Sequence, residues 1–248
     1  MTNVGWRQIR EYHDKIASTY DSRFRRENDL IDRREKEILH EQLGDLHGKR
    51  VLDFGCGTGR LCSFHLEAGA ARVVGVDVSP QMIEIAQRKI KEPAMEFQVF
   101  EPEQGQSGFD AAGGFDVVSA LEVFEYYQDP HEFLSIIKRN LSTGGLAVFD
   151  YINRHNLSAR LKSYLSQDWR KNGIRLYRLK DVVRLCNANG LEITQSHGVF
   201  MSLLPISFVT RIPYAKQYWL GMERRMDRSR LLRRWLSYRT MITAKIKT

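Results

Sequence analysis

Val51-Leu52-Asp53-Phe54-Gly55-Cys56-Gly57-Thr58-Gly59-Arg60 is a short apolar run that stops on three alternate glycines. Such a run predicts a buried strand, then a turn tight enough to need residues without a Cβ, then a helix whose positive N-terminus faces the turn. The next run, Arg72-Val73-Val74-Gly75-Val76-Asp77, predicts a second buried strand that ends on an acid, 22 residues after Gly55. A carboxylate at that place can accept both hydroxyls of a ribose, so the pair of strands points to an adenosine-containing ligand. A dinucleotide fingerprint would require glycine at position 60, where this chain has Arg60. The glycine spacing therefore suits a smaller anion than a pyrophosphate, such as an amino-acid carboxylate.

The rest of the chain continues the alternation. Ser79-Pro80 provides an N-cap and first-turn proline for a helix with Met82, Ile83, Ala86 and Ile90 on one face. Strands are predicted at 95–100, 115–120, 145–151 and 191–199, with helices at 61–69, 129–141 and 179–188 between them. Before the first strand, residues 11–43 read as helical, carrying Ile16, Tyr20 and Phe24 at spacing four. After the sixth strand the rhythm breaks. Residues 214–236 predict a basic helix with Tyr218, Met222 and Met226 on one face, and 238–246 a last strand at the edge. Strand–helix alternation of this kind specifies an α/β doubly wound fold: a seven-stranded, mostly parallel sheet with helices on both faces and a helical insertion before the last strand.

Composition narrows the class. With 248 residues, 42% hydrophobic and 27% charged, the chain can bury one core and is not a low-complexity polymer. Residues 1–15 carry arginines and acids in place of an apolar run, which predicts no secretory signal. The longest weakly polar stretch, 199–209, is far below the ~20 residues of a membrane span. Cys56, Cys62 and Cys186 show no paired framework, which predicts a reducing, cytoplasmic setting and no structural zinc. The net charge of +8 resides in 201–248, where eleven Lys/Arg face Glu223 and Asp227.

Four segments together resemble the class I S-adenosylmethionine-dependent methyltransferases: VLDFGCGTGRL, VVGVDVSPQMIEIAQ, FDVVSALEVFEYYQDP and LSTGGLAVFDY. The resemblance covers residues 12–200 and implies a Rossmann-like fold. Glu122-Val123-Phe124-Glu125-Tyr126, Asp129-Pro130 and Asn153-Arg154 are similar to the ubiquinone-biosynthesis O-methyltransferases and their small-molecule relatives. By this resemblance Asp53, Gly55, Gly57 and Gly59 surround the methionine end of S-adenosylmethionine, Asp77 the ribose, and Val78 and Met82 the adenine. Glu101-Pro102 stand where relatives have Asp-Ala, and Leu121 flanks the sulfonium pocket. Relatives carry Glu-His where this chain has Glu125-Tyr126; the nitrogen ligand of their metal-associated motif is absent, and no metal is expected.

The expected activity is methyl transfer to a small-molecule acceptor, on a hydroxyl oxygen, with Tyr126, Glu125 and His155 as candidate catalytic residues. Tyr12 and Tyr20 read as core or lid aromatics. One methyltransferase domain is expected over 1–248: a helical lid at 1–48, a cofactor-binding core at 49–200, a basic insertion at 201–237 that closes over the acceptor, and the last strand at 238–248. The basic segment leaves two other partners to consider. Nucleic acid is not expected, because no Asn/Asp-Pro-Pro-Tyr/Phe or Pro-Cys motif is present; an RNA methyltransferase and a cofactor-binding protein without turnover remain the alternatives. The second partner is a membrane surface, which the arginines with Leu203, Leu204, Trp219, Met222 and Trp235 could contact peripherally to reach a lipophilic acceptor.

Overall fold

The computed structural model describes residues 5–27, 29–104, 108, 109, 113–202, 209 and 215–247. Leu203, Leu204 and Tyr214 lie outside this set. Two helices lead, α1 (Trp6–Glu27) and α2 (Asp29–Leu43), over the segment that the sequence reads as helical. Next come β1 (Arg50–Phe54), α3 (Arg60–Glu67), β2 (Arg72–Asp77), α4 (Pro80–Lys89), β3 (Met95–Val99) and β4 (Phe115–Ala120). They are followed by α5 (Pro130–Asn140), β5 (Leu141–Asn153), α6 (Leu157–Leu165), α7 (Gln167–Lys171), β6 (Leu176–Tyr177), α8 (Leu179–Ala188) and β7 (Leu191–Met201). Two helices of the insertion, α9 (Ala215–Asp227) and α10 (Arg230–Leu236), precede β8 (Ser237–Ile246).

The sheet runs β3-β2-β1-β4-β5-β8-β7, with the two-residue β6 paired to the end of β5. The five strands from β3 to β5 are parallel, and β8 is antiparallel to both β5 and β7. Chain order reverses between β1 and β4. In an open parallel sheet the crevice outside the strand ends at that reversal is where a ligand can enter.

One expectation is corrected here. β8 is an interior strand, not an edge. Met241, Ile242 and Ala244 are buried and Thr240 and Thr243 nearly so, which demands cover on both faces and both sides. β7 takes the edge instead, with Glu192 and Gln195 exposed along its first half.

Local chemistry accounts for the helix starts at the crevice. Ser79 caps α4 by accepting from Met82 N, with Pro80 in the first turn. Asp129 does the same for α5 through His131 N, and Asn156 for α6 through Ala159 N. Beneath the crevice, Phe54, Phe100, Phe124, Phe133, Phe149 and Tyr127 form a fully buried aromatic cluster. Edge-to-face pairs within it, such as Phe54–Phe100 at 5.2 Å, make the floor rigid. Among the described residues no helix is long and apolar enough to cross a membrane.

Candidate active site

The turn after β1 is built by what glycine permits. Gly55 and Gly59 hold φ of +79° and +84°, the left-handed region that a side chain disfavours. A Cβ on Gly55 would overlap Val123 Cγ2, and one on Gly59 would stand 2.7 Å from Ile90 Cδ1. The first glycine thus lets β1 pass beneath the β4 loop, and the third lets α3 pack on α4. Gly57 is different: a Cβ there meets only the Tyr20 ring, at 4.0 Å, so its backbone faces open space.

Asp77 ties this turn to the next. One carboxylate oxygen accepts from Gly57 N and the other from Ser79 N, both at 2.9 Å. Burial pushes the carboxyl above its ordinary range, against the pull of His13 and the two backbone amides. Asp53 is fully enclosed, accepting from Ser119 Oγ at 3.0 Å and Cys62 Sγ at 3.3 Å, and burial raises it to about 6. Cys56 and Cys62 are buried thiols raised above their usual value by desolvation.

A cavity of about 780 Å³ opens above these turns. Gly55, Gly57, Asp77, Val78 and Met82 line one end, with Phe100 and Tyr127 behind them. Helix α1 roofs it. Trp6, Ile9, His13, Ile16 and Tyr20 recur every three or four residues and all face the cavity. Polar contacts fasten the roof to the turns: Arg10 donates to Val78 O and Glu103, Asp14 accepts from Ser79 Oγ, and Asp21 from Thr58 Oγ1 and Lys89. Arg60 reaches Asp32 and Glu35 of α2.

The other end is walled by Leu157, Leu161 and Leu165 of α6, with Ser158, Lys162 and Tyr238. No described residue of α9 or α10 lines the cavity. Trp219, Glu223 and Asp227 of α9 are instead buried, and Asp227 accepts from Arg34 of α2 and from Gly198 N of β7. Among the described residues, α1 and α6 are the helices that close the site.

Four polar groups of the cavity lining lie close enough to act on one another: the His13 imidazole, the Tyr20 and Tyr126 hydroxyls and the Glu122 carboxylate. Among the described residues none of these side-chain groups is hydrogen-bonded. Polar groups that line a cavity and have no protein partner are available to a ligand or to water. The His13 and Tyr126 rings meet edge to face at 5.3 Å. Enclosure lowers the His13 pKa, opposed by Asp77, Glu122 and Asp14, and raises the Tyr126 phenol well above its usual value. Glu122 holds a left-handed φ of +63°, fixed by its N–H donating to Asp150 at 2.7 Å.

The structure separates the three candidate catalytic residues. Tyr126 lines the cavity. Glu125 turns the other way and is gripped by Arg239, which also binds Asp150; burial raises the Glu125 carboxyl to about 7 against the pull of that guanidinium. His155 lies against Trp235, ring centroids 4.9 Å apart, outside the cavity lining. Of the candidate cofactor residues, Gly55, Gly57, Asp77, Val78, Met82 and Leu121 line the cavity, and Asp53, Gly59, Glu101 and Pro102 do not. The sequence reading assigned no chemical role to His13, and pointed to Glu122 only as part of the relatives' metal-associated motif. A signal existed for His13: it is the polar member of an otherwise apolar stripe, 6-9-13-16-20. Among the described residues no group of three or more His, Cys, Asp or Glu is arranged to hold a metal.

Residues 22–196 match a family model described as a methyltransferase domain. The chain is 30% identical over 172 residues to a ubiquinone biosynthesis O-methyltransferase of Aromatoleum aromaticum, covering 66% of this chain and 72% of that protein. It is 32% identical over 166 residues to the protein of the same name from Rhizobium leguminosarum bv. trifolii, covering 64% and 65%. Across these and an uncharacterised Haemophilus influenzae protein, the match spans 56% to 72% of the relative's length. The fold is shared with magnesium protoporphyrin IX methyltransferase from Synechocystis solved with bound SAH, at a TM-score of 0.63 and 18% identity over 97% of this chain and 98% of that one. An S-adenosylmethionine-dependent methyltransferase from Mesorhizobium loti aligns with a TM-score of 0.61 and 18% identity over 84% and 95%.

Proposed function

The chain belongs to the methyltransferase-domain family, as a class I S-adenosylmethionine-dependent methyltransferase, and on that premise we propose that it methylates a hydroxyl oxygen on a small, largely apolar acceptor. The residues present fit the cofactor. Asp77 stands at the cavity rim beside the open backbone of Gly57, and Val78, Met82 and Phe100 offer an apolar slot for a purine. When bound, S-adenosylmethionine supplies an electrophilic methyl group on a cationic sulfonium. The protein's part is alignment and exclusion of water, which can contribute up to ~7–11 kcal/mol in well-oriented reactions.

The acceptor reading rests on one observation. The cavity that holds the cofactor turns is also walled by Leu157, Leu161, Leu165 and Tyr238, and His13, Glu122 and Tyr126 line it as well. Apolar walls select a ring or aliphatic body, and the few unpartnered polar groups among them suit one hydroxyl. Incubation with S-adenosylmethionine and a panel of phenols, alcohols, carboxylates and amines, read by S-adenosylhomocysteine release and product mass, tests this. Hydroxyl acceptors are expected to turn over. Turnover confined to amines or carboxylates overturns the hydroxyl reading, and cofactor binding without any turnover supports the alternative of a non-catalytic binder.

A peripheral contact with a membrane surface is supported by a second observation. Leu157, Leu161 and Leu165 line the cavity yet are 58%, 54% and 69% exposed, and Tyr164 and Trp235 are exposed beside them. Partial burial lowers the pKa of the neighbouring His155, and Arg234, Arg178, Arg160 and Lys180 are close enough to lower it further. Apolar side chains ringed by cations match an anionic bilayer. Sedimentation with phosphatidylcholine vesicles, with and without phosphatidylglycerol, is expected to show binding only with the anionic lipid. Equal recovery in the supernatant in both arms removes this reading.

A further inference from the structure

We infer that His13, on the roof helix α1, is the catalytic base that takes the proton from the acceptor hydroxyl. The inference rests on the hydroxyl reading above. The imidazole lines the same cavity as the cofactor turns and the leucines of α6, its ring is edge-on to Tyr126, and neither ring nitrogen is hydrogen-bonded among the described residues. A side chain with a lone pair, an unsatisfied nitrogen and direct access to the bound reactants is what proton removal requires.

Tyr126, Glu125 and Asp77 are less suited. Tyr126 keeps its proton because enclosure raises its phenol, so it can donate a hydrogen bond to the acceptor but not receive its proton. Glu125 is held by Arg239, and Asp77 already accepts from two backbone amides. Burial lowers the His13 pKa, which keeps the imidazole neutral and able to accept near neutral pH. The charged groups that act on it are Asp77 at the end of β2, Glu122 after β4 and Asp14 on its own helix. All three are acidic, so they stabilise the imidazolium once it forms.

The step balances. The acceptor oxygen forms a bond to the methyl carbon, and its O–H bond breaks with the proton passing to His13. The carbon–sulfur bond breaks with its electron pair left on sulfur, giving a neutral thioether. The positive charge that began on sulfur ends on the imidazole, within reach of the negative field of Asp77, Glu122 and Asp14.

The test compares wild type with His13→Gln, and with His13→Ala plus or minus free imidazole, on the best hydroxyl acceptor. Wild-type kcat should fall on the acidic side as the imidazole protonates. His13→Gln should lose this limb, turn over roughly 10²–10⁴-fold more slowly at neutral pH, and regain rate as hydroxide rises. Added imidazole should restore part of the His13→Ala rate, with S-adenosylhomocysteine affinity by calorimetry unchanged in both variants. An unchanged kcat or an unchanged acidic limb in His13→Gln overturns the inference. Loss of cofactor affinity with no imidazole rescue also overturns it, making His13 a cofactor ligand. Failure of the hydroxyl reading is seen separately, in wild type, as turnover of amines or carboxylates alone.

Discussion

Both carboxylate oxygens of Glu125 accept from one guanidinium nitrogen of Arg239, at 2.8 and 3.0 Å. The two residues are 114 positions apart, one in the loop after β4 and the other in β8. The same guanidinium binds Asp150 of β5, whose Oδ1 accepts the N–H of Glu122. The loop that presents Glu122 and Tyr126 to the cavity is therefore anchored by a strand that enters the sheet only after the basic insertion.

Arg239→Met should leave two buried carboxylates without a counter-charge. Breaking one side of a buried ion pair costs about 3–5 kcal/mol, so urea unfolding should shift to markedly lower concentration, with kcat falling as the loop loosens. Glu125→Gln keeps an acceptor for Arg239 and should be milder. A shift in Arg239→Met no larger than in Glu125→Gln would show that the network is not what holds the loop.

Asp77→Ala should weaken cofactor binding more than Asp77→Asn. Each charge-assisted hydrogen bond is worth about 1.5–3 kcal/mol, and Ala also releases the Gly57 and Ser79 amides that Asp77 now positions. Calorimetric titration with S-adenosylhomocysteine reads both. Equal affinity in wild type and both variants would leave Asp77 with a structural part only.

Asp53 should make the fold less stable as pH rises from about 4 to about 6. Its carboxyl is raised to about 6 by burial, so in that window the folded state holds a proton that the unfolded state has released, and raising the pH favours unfolding. The full effect is at most about 3 kcal/mol. Comparing urea midpoints of wild type and Asp53→Asn across pH 4–7 isolates it, and parallel curves would show that Asp53 does not titrate there.

Replacing 215–236 with a short Gly/Ser linker should lower thermal stability together with activity. The segment buries Trp219, Glu223 and Asp227, and Asp227 receives hydrogen bonds from Arg34, His197 and Gly198. A detachable lid would behave otherwise, with melting temperature and cofactor affinity kept and only transfer lost. Differential scanning calorimetry and cofactor titration on the same variant separate the outcomes.

Much of the cofactor end was legible because its signals are local. Three glycines within five residues, an acid at the end of the next apolar run and Ser79-Pro80 after it specify a strand, a turn and a capped helix without any knowledge of the rest. The acceptor end carries no such signal. Glu125 and Tyr126 are neighbours in a single 3-10 turn, Phe124–Tyr126, and spacing alone does not say which of them faces the cavity. His155 follows a suggestive Asn153-Arg154, yet Asn153 spends its amide on Arg234 O and Ser237 O, which directs this segment toward α10.

By itself the sequence determined the mostly parallel α/β sheet, the glycine turn after β1 and the acid at the end of β2, because periodicity and backbone requirements of glycine and proline act over a few residues. Only the tertiary structure decided that β8 fills the interior position between β5 and β7, that α1 and α6 close the cavity, and that His13 meets Tyr126. These depend on which faces of distant elements exclude water from one another and on ion pairs such as Arg239 with Glu125. Such choices are set by packing the whole chain at once, and no window of sequence contains them.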